Sequence, residues 1–286
     1  MKAKGYREAL TLACLRTSAV IVAAIVVSIF GYLVINGYKA ITWEFLTQPP
    51  MRGMTEGGIH PAIVGSAYLM ALTIVFNMPL GVLSAIYLSE YARFENAKFV
   101  TAVRVATRML AGVPSIVYGL LGLALFVLLL GFGFSIISAS LTLSLLTLPV
   151  VIAASEEALR SVPTSYREGA LALGATMWQT VRHAVLPYAL PGIMTASILG
   201  ISRAAGETAP LLMTGVAYYL PRLPSSVFDQ FMALPYHVFS MSTQSPNPVV
   251  TRPIQFGTVL VLLLMVLLMN VAAIYIRYRS YRVRRE

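Results

Sequence analysis

Six long apolar runs, separated by short stretches that hold most of the charge, make hydrocarbon the solvent for much of this chain. They lie at about 17–35, 61–91, 101–130, 132–154, 191–219 and 256–278. Each is about as long as the ~20 residues an α-helix needs to cross a bilayer core about 30 Å thick. Only 11% of the 286 residues are charged and 58% are hydrophobic, against about 25% charged in a soluble domain. The expected fold class is an all-α polytopic membrane protein with six transmembrane helices. The first run exceeds the apolar region of a cleaved signal peptide, roughly 7–15 residues, and no clear small-residue cleavage site follows it, so it counts as a crossing.

Lysine and arginine are unevenly divided between the two sides. Lys2, Lys4, Arg7 and Arg16 precede the first run, Arg93, Lys98, Arg104 and Arg108 follow the second, Arg160, Arg167 and Arg182 lie between the fourth and fifth, and Arg277, Arg279, Arg282, Arg284 and Arg285 end the chain. These alternate with connections holding only Lys39, Arg52, Arg222 and Arg252, and Arg203 stands inside a run. The positive-inside rule then puts both termini and residues 155–187 in the cytoplasm. The net charge of +10 flanks apolar spans instead of forming one stripe, so nucleic acid is not an expected partner and membrane lipid is.

Residues 155–187 are polar and charged, lie between two apolar runs, and read as two short helices joined by a glycine. Ser165 and Glu168 have the S-x-x-E spacing of a capping box, which predicts a helix from about Tyr166. Gly174 stands where a left-handed terminal residue is wanted, Thr176 and Gln179 repeat the box, and Leu186-Pro187 should end the second helix. There Met177, Trp178, Val181, Ala184 and Val185 share one face, leaving Gln179, Thr180 and Arg182 opposite. Periodicity alone also suits an ordinary amphipathic loop at the membrane surface.

The spacing Glu168-Gly169-Ala170, Gly174, then Ala184-Val185-Leu186-Pro187 resembles the EAA loop of bacterial ABC importer permeases. It departs from that pattern at Gly169, where alanine is usual, and at Ala184, where isoleucine is usual. The resemblance implies the type I permease fold and a cytoplasmic coupling element, with Glu168, Gly169, Ala170, Gly174, Leu186 and Pro187 contacting a separate ATP-hydrolysing subunit.

Within the runs, Pro79, Pro114, Pro149 and Pro210 interrupt the helical ladder, which a membrane protein tolerates where protein or water satisfies the freed carbonyls. Pro114 and Ser115, with Gly119 and Gly122 after them, describe either a kinked packing helix or part of a path. The fifth run holds Arg203 and Glu207, placed by counting from Pro191 well inside the core, at a spacing that puts them on one helical face. A central arginine costs roughly 2.5–3.5 kcal/mol even on insertion scales. The pair is either a structural ion pair or a site where a planar guanidinium receives an oxyanion and Glu207 compensates it when empty.

Arg203-Ala-Ala-Gly-Glu207-Thr208-Ala-Pro210, Glu157-Ala-Leu-Arg160-Ser-Val-Pro163 and Tyr166-Arg167-Glu168-Gly169-Ala170 together resemble the PstA-type permeases of phosphate importers, whose third conserved helix carries a Val-Pro-Ser segment like Val113-Pro114-Ser115. The resemblance covers about 61–276. It divides the chain into 1–60, an N-terminal tail with the first helix and an outer loop; 61–276, the permease domain; and 277–286, a basic tail. It implies phosphate import across a bacterial or archaeal cytoplasmic membrane, with Arg203 and Glu207 required for passage and Thr208 beside them. The implied partners are a second related permease, a pair of ATP-binding subunits that hold ATP and Mg, and an external phosphate-binding protein.

Residues 216–253 are expected on the outer face. Pro221, Pro224, Pro235, Pro246, Pro248 and Pro253 limit regular structure there, and Val227, Phe228, Phe231, Met232, Tyr236 and Phe239 read either as an interfacial aromatic belt or as a docking surface for the binding protein. No G-x-x-x-x-G-K-[ST] or H-E-x-x-H occurs, His60, His183 and His237 are scattered, and no metal or cofactor is expected in this chain. It is not expected to be an enzyme. A permease for molybdate, sulfate or phosphonate, an ion-coupled carrier using Glu207 as a proton relay, and a membrane scaffold are the competing readings.

Overall fold

The computed structural model describes residues 2–92, 96–245 and 248–282, with side chains described from Leu10 to Arg279. Arg93, Pro246, Arg284 and Arg285, and the side chains of Lys2, Lys4, Arg7 and Arg282, lie outside these bounds. Helix α1 (Lys2–Gly37) leads to the short α2 (Trp43–Thr47) and a hairpin of β1 (Pro50–Met51) and β2 (Glu56–Gly57), with Pro50 opposite Gly57. Helix α3 (His60–Ile86) ends in a π turn, Tyr87–Tyr91. After it come α4 (Ala97–Leu110), α5 (Ser115–Gly122), extended by a second π turn, and α6 (Ile136–Arg160). Next are α7 (Thr164–Ala172), α8 (Met177–Thr180), a π turn at Val181–Val185, and α9 (Leu186–Ala205). The chain finishes with α10 (Ala209–Leu212), α11 (Leu234–Thr243) and α12 (Pro248–Arg282).

Among the described residues five helical stretches are long and apolar enough to cross a membrane, and the number is six when the α4–α5 pair, bent by 102°, is counted as one broken span. Pro114 explains the bend. It sits at the N-cap of α5, where its fixed φ suits a helix start and its missing N–H costs nothing. Pro79 and Pro149, by contrast, lie inside α3 and α6, which run on through them.

The core is the contact of α3, α6 and α9. Ser140 Oγ donates to Leu69 O at 3.3 Å, Ser144 Oγ to Thr73 O at 3.1 Å, and Asn77 Nδ2 to Ser144 O at 3.3 Å and to Thr147 Oγ1. Such interhelical bonds contribute roughly 0.6–2 kcal/mol each in a membrane, where apolar faces gain little from meeting each other instead of lipid. Small residues allow the approach. A Cβ on Gly81 of α3 would meet Val151 Cγ1 at 2.7 Å, and one on Gly200 of α9 would meet Val151 Cγ2 at 2.7 Å. Helix α1 is different: its apolar window is 0% buried, and it meets α12 near Gly37, where a Cβ would lie 2.8 Å from the Phe256 carbonyl.

Two expectations change. The fifth run is not one helix, because α9 stops at Ala205 and α10 is only a turn. The aromatic-rich segment is neither wholly a belt nor wholly a surface. Phe231, Met232 and Tyr236 are buried, and Phe231 joins Leu69, Ile136 and Leu211 in the main apolar cluster, while Val227, Phe228 and Phe239 stay exposed. Gly65 of α3 makes this possible, since a Cβ there would strike the Met232 carbonyl.

His237 of α11 is buried, with no hydrogen-bond partner on either ring nitrogen. Burial pushes its pKa down to about 4. The unfolded chain takes up this proton below about pH 6.5 and the folded one does not, so stability is full above pH 6.5 and falls as pH drops towards 4, by on the order of 3 kcal/mol. Thermal unfolding of the purified protein between pH 7.5 and 4.5 should show this acid-side loss, and H237L, which removes both unpaired nitrogens, should lose less. Equal slopes in the two proteins would refute it.

Candidate functional site

The polar loop folds as a helix, a left-handed glycine and a second helix. Gly174 has φ +83°, and the capping box at Thr176 is complete: Gln179 N donates to Thr176 Oγ1 at 3.3 Å and Thr176 N to Gln179 Oε1 at 2.8 Å. The first box does not form. Helix α7 starts at Thr164 behind Pro163, which has the extended geometry of an N-cap, and Ser165 falls inside the first turn. Leu186-Pro187 does not end the second helix either. The π turn at Val181–Val185 feeds directly into α9, and the helix runs on through Pro187. The extra residue of the π turn accompanies a changed facing: Val181 and Val185 are buried as expected, but so is Thr180, while Trp178 is half exposed.

Glu168, Gly169 and Gly174 are exposed, Ala170 is half-buried, and Leu171, Leu173 and Trp178 present apolar side chains around them. The single residue of α7 that is buried is Arg167. Its Nε donates to Glu90 Oε2 at 2.9 Å and its Nη2 to Glu90 Oε1 at 2.7 Å, a bidentate fork to a carboxylate with 0% exposure. Its Nη1 also donates to Val162 O at 2.7 Å and its Nη2 to Leu159 O at 2.8 Å. The hydrogen bonds to Glu90 hold the guanidinium above the usual arginine range, against the opposing effect of burial. A neighbouring cluster joins Glu156 to Arg104 and Arg160, both at 2.8 Å, and Arg104 Nη2 reaches Leu88 O at 2.7 Å. Sequence reasoning missed Glu90 even though the signal was there, a carboxylate near the end of a 31-residue apolar run.

Arg203 and Glu207 face each other across the end of α9. Arg203 lies in its last turn, Gly206 is the C-cap, and Glu207 belongs to the break, so the pair does not share a helical face. Arg203 Nε is 3.9 Å from Glu207 Oε1, beyond hydrogen-bond reach, with side-chain exposures of 39% and 19%. The helix C-terminus favours a cation here. Ala204, next to the arginine, shares an apolar cluster with Leu69 and Leu143. Leu69 is nine residues into α3, so the break sits about 14 Å below that helix's start, within the span.

Thr208 is half-buried at the N-cap of α10, and Thr214 Oγ1 satisfies Pro210 O at 2.8 Å. Helix α5 closes one side: a Cβ on Gly119 would meet Pro210 Cα at 3.0 Å. Pro114 and Ser115 thus begin the helix that packs on the break, with Pro114 exposed and Ser115 half-buried. Asn77, Thr147, Ser197 and Gly200 line a small cavity between α3, α6 and α9 that also includes Ala204. Among the described residues no group of three or more His, Cys, Asp or Glu could hold a metal ion.

The sequence matches, over residues 77–285, the family described as the binding-protein-dependent transport system inner membrane component. It is 35% identical over 276 residues to the probable ABC transporter permease protein YqgI of Bacillus subtilis, covering 92% of each chain. It is also 35% identical over 274 residues to the phosphate transport system permease protein PstA 1 of Mycobacterium tuberculosis, covering 94% of this chain and 87% of that one. Among solved structures, a chain of a bacterial alginate ABC transporter superposes with TM-score 0.68 at 14% identity, covering 96% of this chain and 95% of the other. A chain of the MetNI methionine ABC transporter gives TM-score 0.59 at 21% identity, covering 77% and 96%. Long apolar helices, a helix–glycine–helix loop and this agreement in sequence and fold mean that the chain belongs to the inner membrane components of binding-protein-dependent ABC importers, as a non-catalytic permease of the PstA-related kind.

Proposed function

We propose that this chain is the membrane subunit of an ATP-driven phosphate importer, in which Arg203 receives the anion in transit and residues 164–187 couple to the ATPase. The observation that carries the reading is a partly open guanidinium at membrane depth, set in a helix break, whose carboxylate neighbour stands 3.9 Å away without a hydrogen bond. A closed, fully bonded ion pair would have little charge to offer, whereas this one can exchange Glu207 for the oxygens of an oxyanion. In this reading Thr208 borders that position, and Pro114 and Ser115 begin the helix that packs on the break. Relatives named for phosphate transport support phosphate over molybdate, sulfate or phosphonate; the fold does not choose, since solved neighbours are named for methionine and alginate.

ABC importer permeases work with a separate ATPase, which binds ATP and Mg, and with a binding protein. In the proposed assembly a second related permease completes the path beside α5. The basic asymmetry of the chain supports cytoplasmic termini and a cytoplasmic α7, with Glu168, Gly169, Ala170 and Gly174 at the ATPase contact and Leu186-Pro187 at the root of α9.

In the complex reconstituted with its ATPase, second permease and binding protein, R203Q should assemble normally and lose ATP-driven phosphate uptake on the order of a hundredfold, in keeping with the ~2–5 kcal/mol typical of removing one partner of a buried charged contact. Uptake at the normal rate would refute the assignment, and uptake by the chain without an ATPase would favour a carrier. A Cβ at Gly174 meets nothing within 4 Å, so G174V costs only its left-handed strain, about 1–2 kcal/mol. It should lower ATPase association while leaving the membrane domain folded, measured by co-purification. Unchanged association would remove this turn from the contact.

A further inference from the structure

We propose that the Glu90–Arg167 pair is the joint through which movement of the cytoplasmic helix α7 reaches the membrane helices α3 and α6. This rests on the coupling role proposed above and names the residues that carry it. Helix α7 has no fully buried apolar side chain, its Tyr166 ring meeting that of Tyr188 at 5.1 Å with both partly exposed, and Arg167 is its one buried residue. That single side chain ties α7 to two other elements. It donates twice to Glu90 in the π turn ending α3, and it donates to Leu159 O and Val162 O at the C-terminal end of α6. Ser89 Oγ donates to Glu90 Oε1 at 2.8 Å, steadying the carboxylate.

The geometry is stiff where stiffness matters. A bidentate guanidinium–carboxylate contact fixes orientation as well as distance, which a point-charged lysine could not do. Breaking a buried pair is costly because the remaining charge has no solvent to turn to. A push on the exposed face of α7 therefore moves α3 and α6 with it instead of swinging α7 alone. Those two helices hold Asn77 and Thr147 and pack against α9, whose last turn carries Arg203. Glu90 and Arg167 touch neither the anion nor nucleotide in this scheme, which makes them positioning residues.

The test uses the complete transporter, with spin labels at the exposed Leu173, just past α7, and the exposed Leu83 of α3. In the wild type the distance between them should stay constant between nucleotide-free and ATP-bound states, because the two sites move together. In E90Q it should change between those states, and anion transported per ATP hydrolysed should fall at least tenfold while ATP hydrolysis continues. A constant distance with an unchanged transport ratio in E90Q would overturn the proposal. Should E90Q not assemble, the double variant E90M/R167M replaces the pair with apolar groups of similar size; a wild-type transport ratio there would reduce the pair to packing and likewise overturn it. The distance measurement does not depend on the anion, so a failure of the phosphate reading leaves it interpretable.

Discussion

Hydrocarbon offers no hydrogen bonds, and every departure from continuous helix in this chain has to be satisfied from within the protein. Helix α9 stops in mid-span at Gly206, and the amides beyond are met by Thr208 O, Pro210 O and Phe231 O through the turns of 208–217. The buried loop that supplies some of them, around Phe231 and Met232, enters the bundle past Gly65 because no side chain blocks its carbonyl. The break that opens Arg203 is thus maintained by residues at some distance along the chain.

The same constraint gives the three-helix core its chemistry. Apolar faces gain little from pairing when lipid is the alternative, so α3 and α6 are joined by serine and threonine hydroxyls, Asn77 and close glycine contacts. Charge follows the same logic at two places with opposite outcomes. Glu90 and Arg167 are fully matched and closed, suited to bearing load. Arg203 and Glu207 are unequally exposed and loosely apposed, suited to exchanging a partner.

Much of this was legible in the chain. Run lengths predict the long membrane-spanning helices, and Gly174 and the Thr176–Gln179 box announce the helix–glycine–helix loop. Local signals failed where a neighbour overrode them. Ser165 could cap a helix, yet Pro163 starts it earlier; Leu186-Pro187 could stop one, yet the π turn at Val181–Val185 carries the helix on through the proline. Phe231 and Met232 look like an interfacial belt in sequence and are core because Gly65 admits them.

Sequence by itself determined that this is a helical membrane protein and that a left-handed glycine joins the two halves of the polar loop, because length, hydropathy and glycine conformation are local properties. Only the tertiary structure decided that Glu90 meets Arg167 across 77 residues, that Arg203 ends a helix instead of standing within one, and that α5 closes on the break. Those outcomes depend on which side chains and carbonyls arrive together in space, and no periodicity along the chain encodes that meeting.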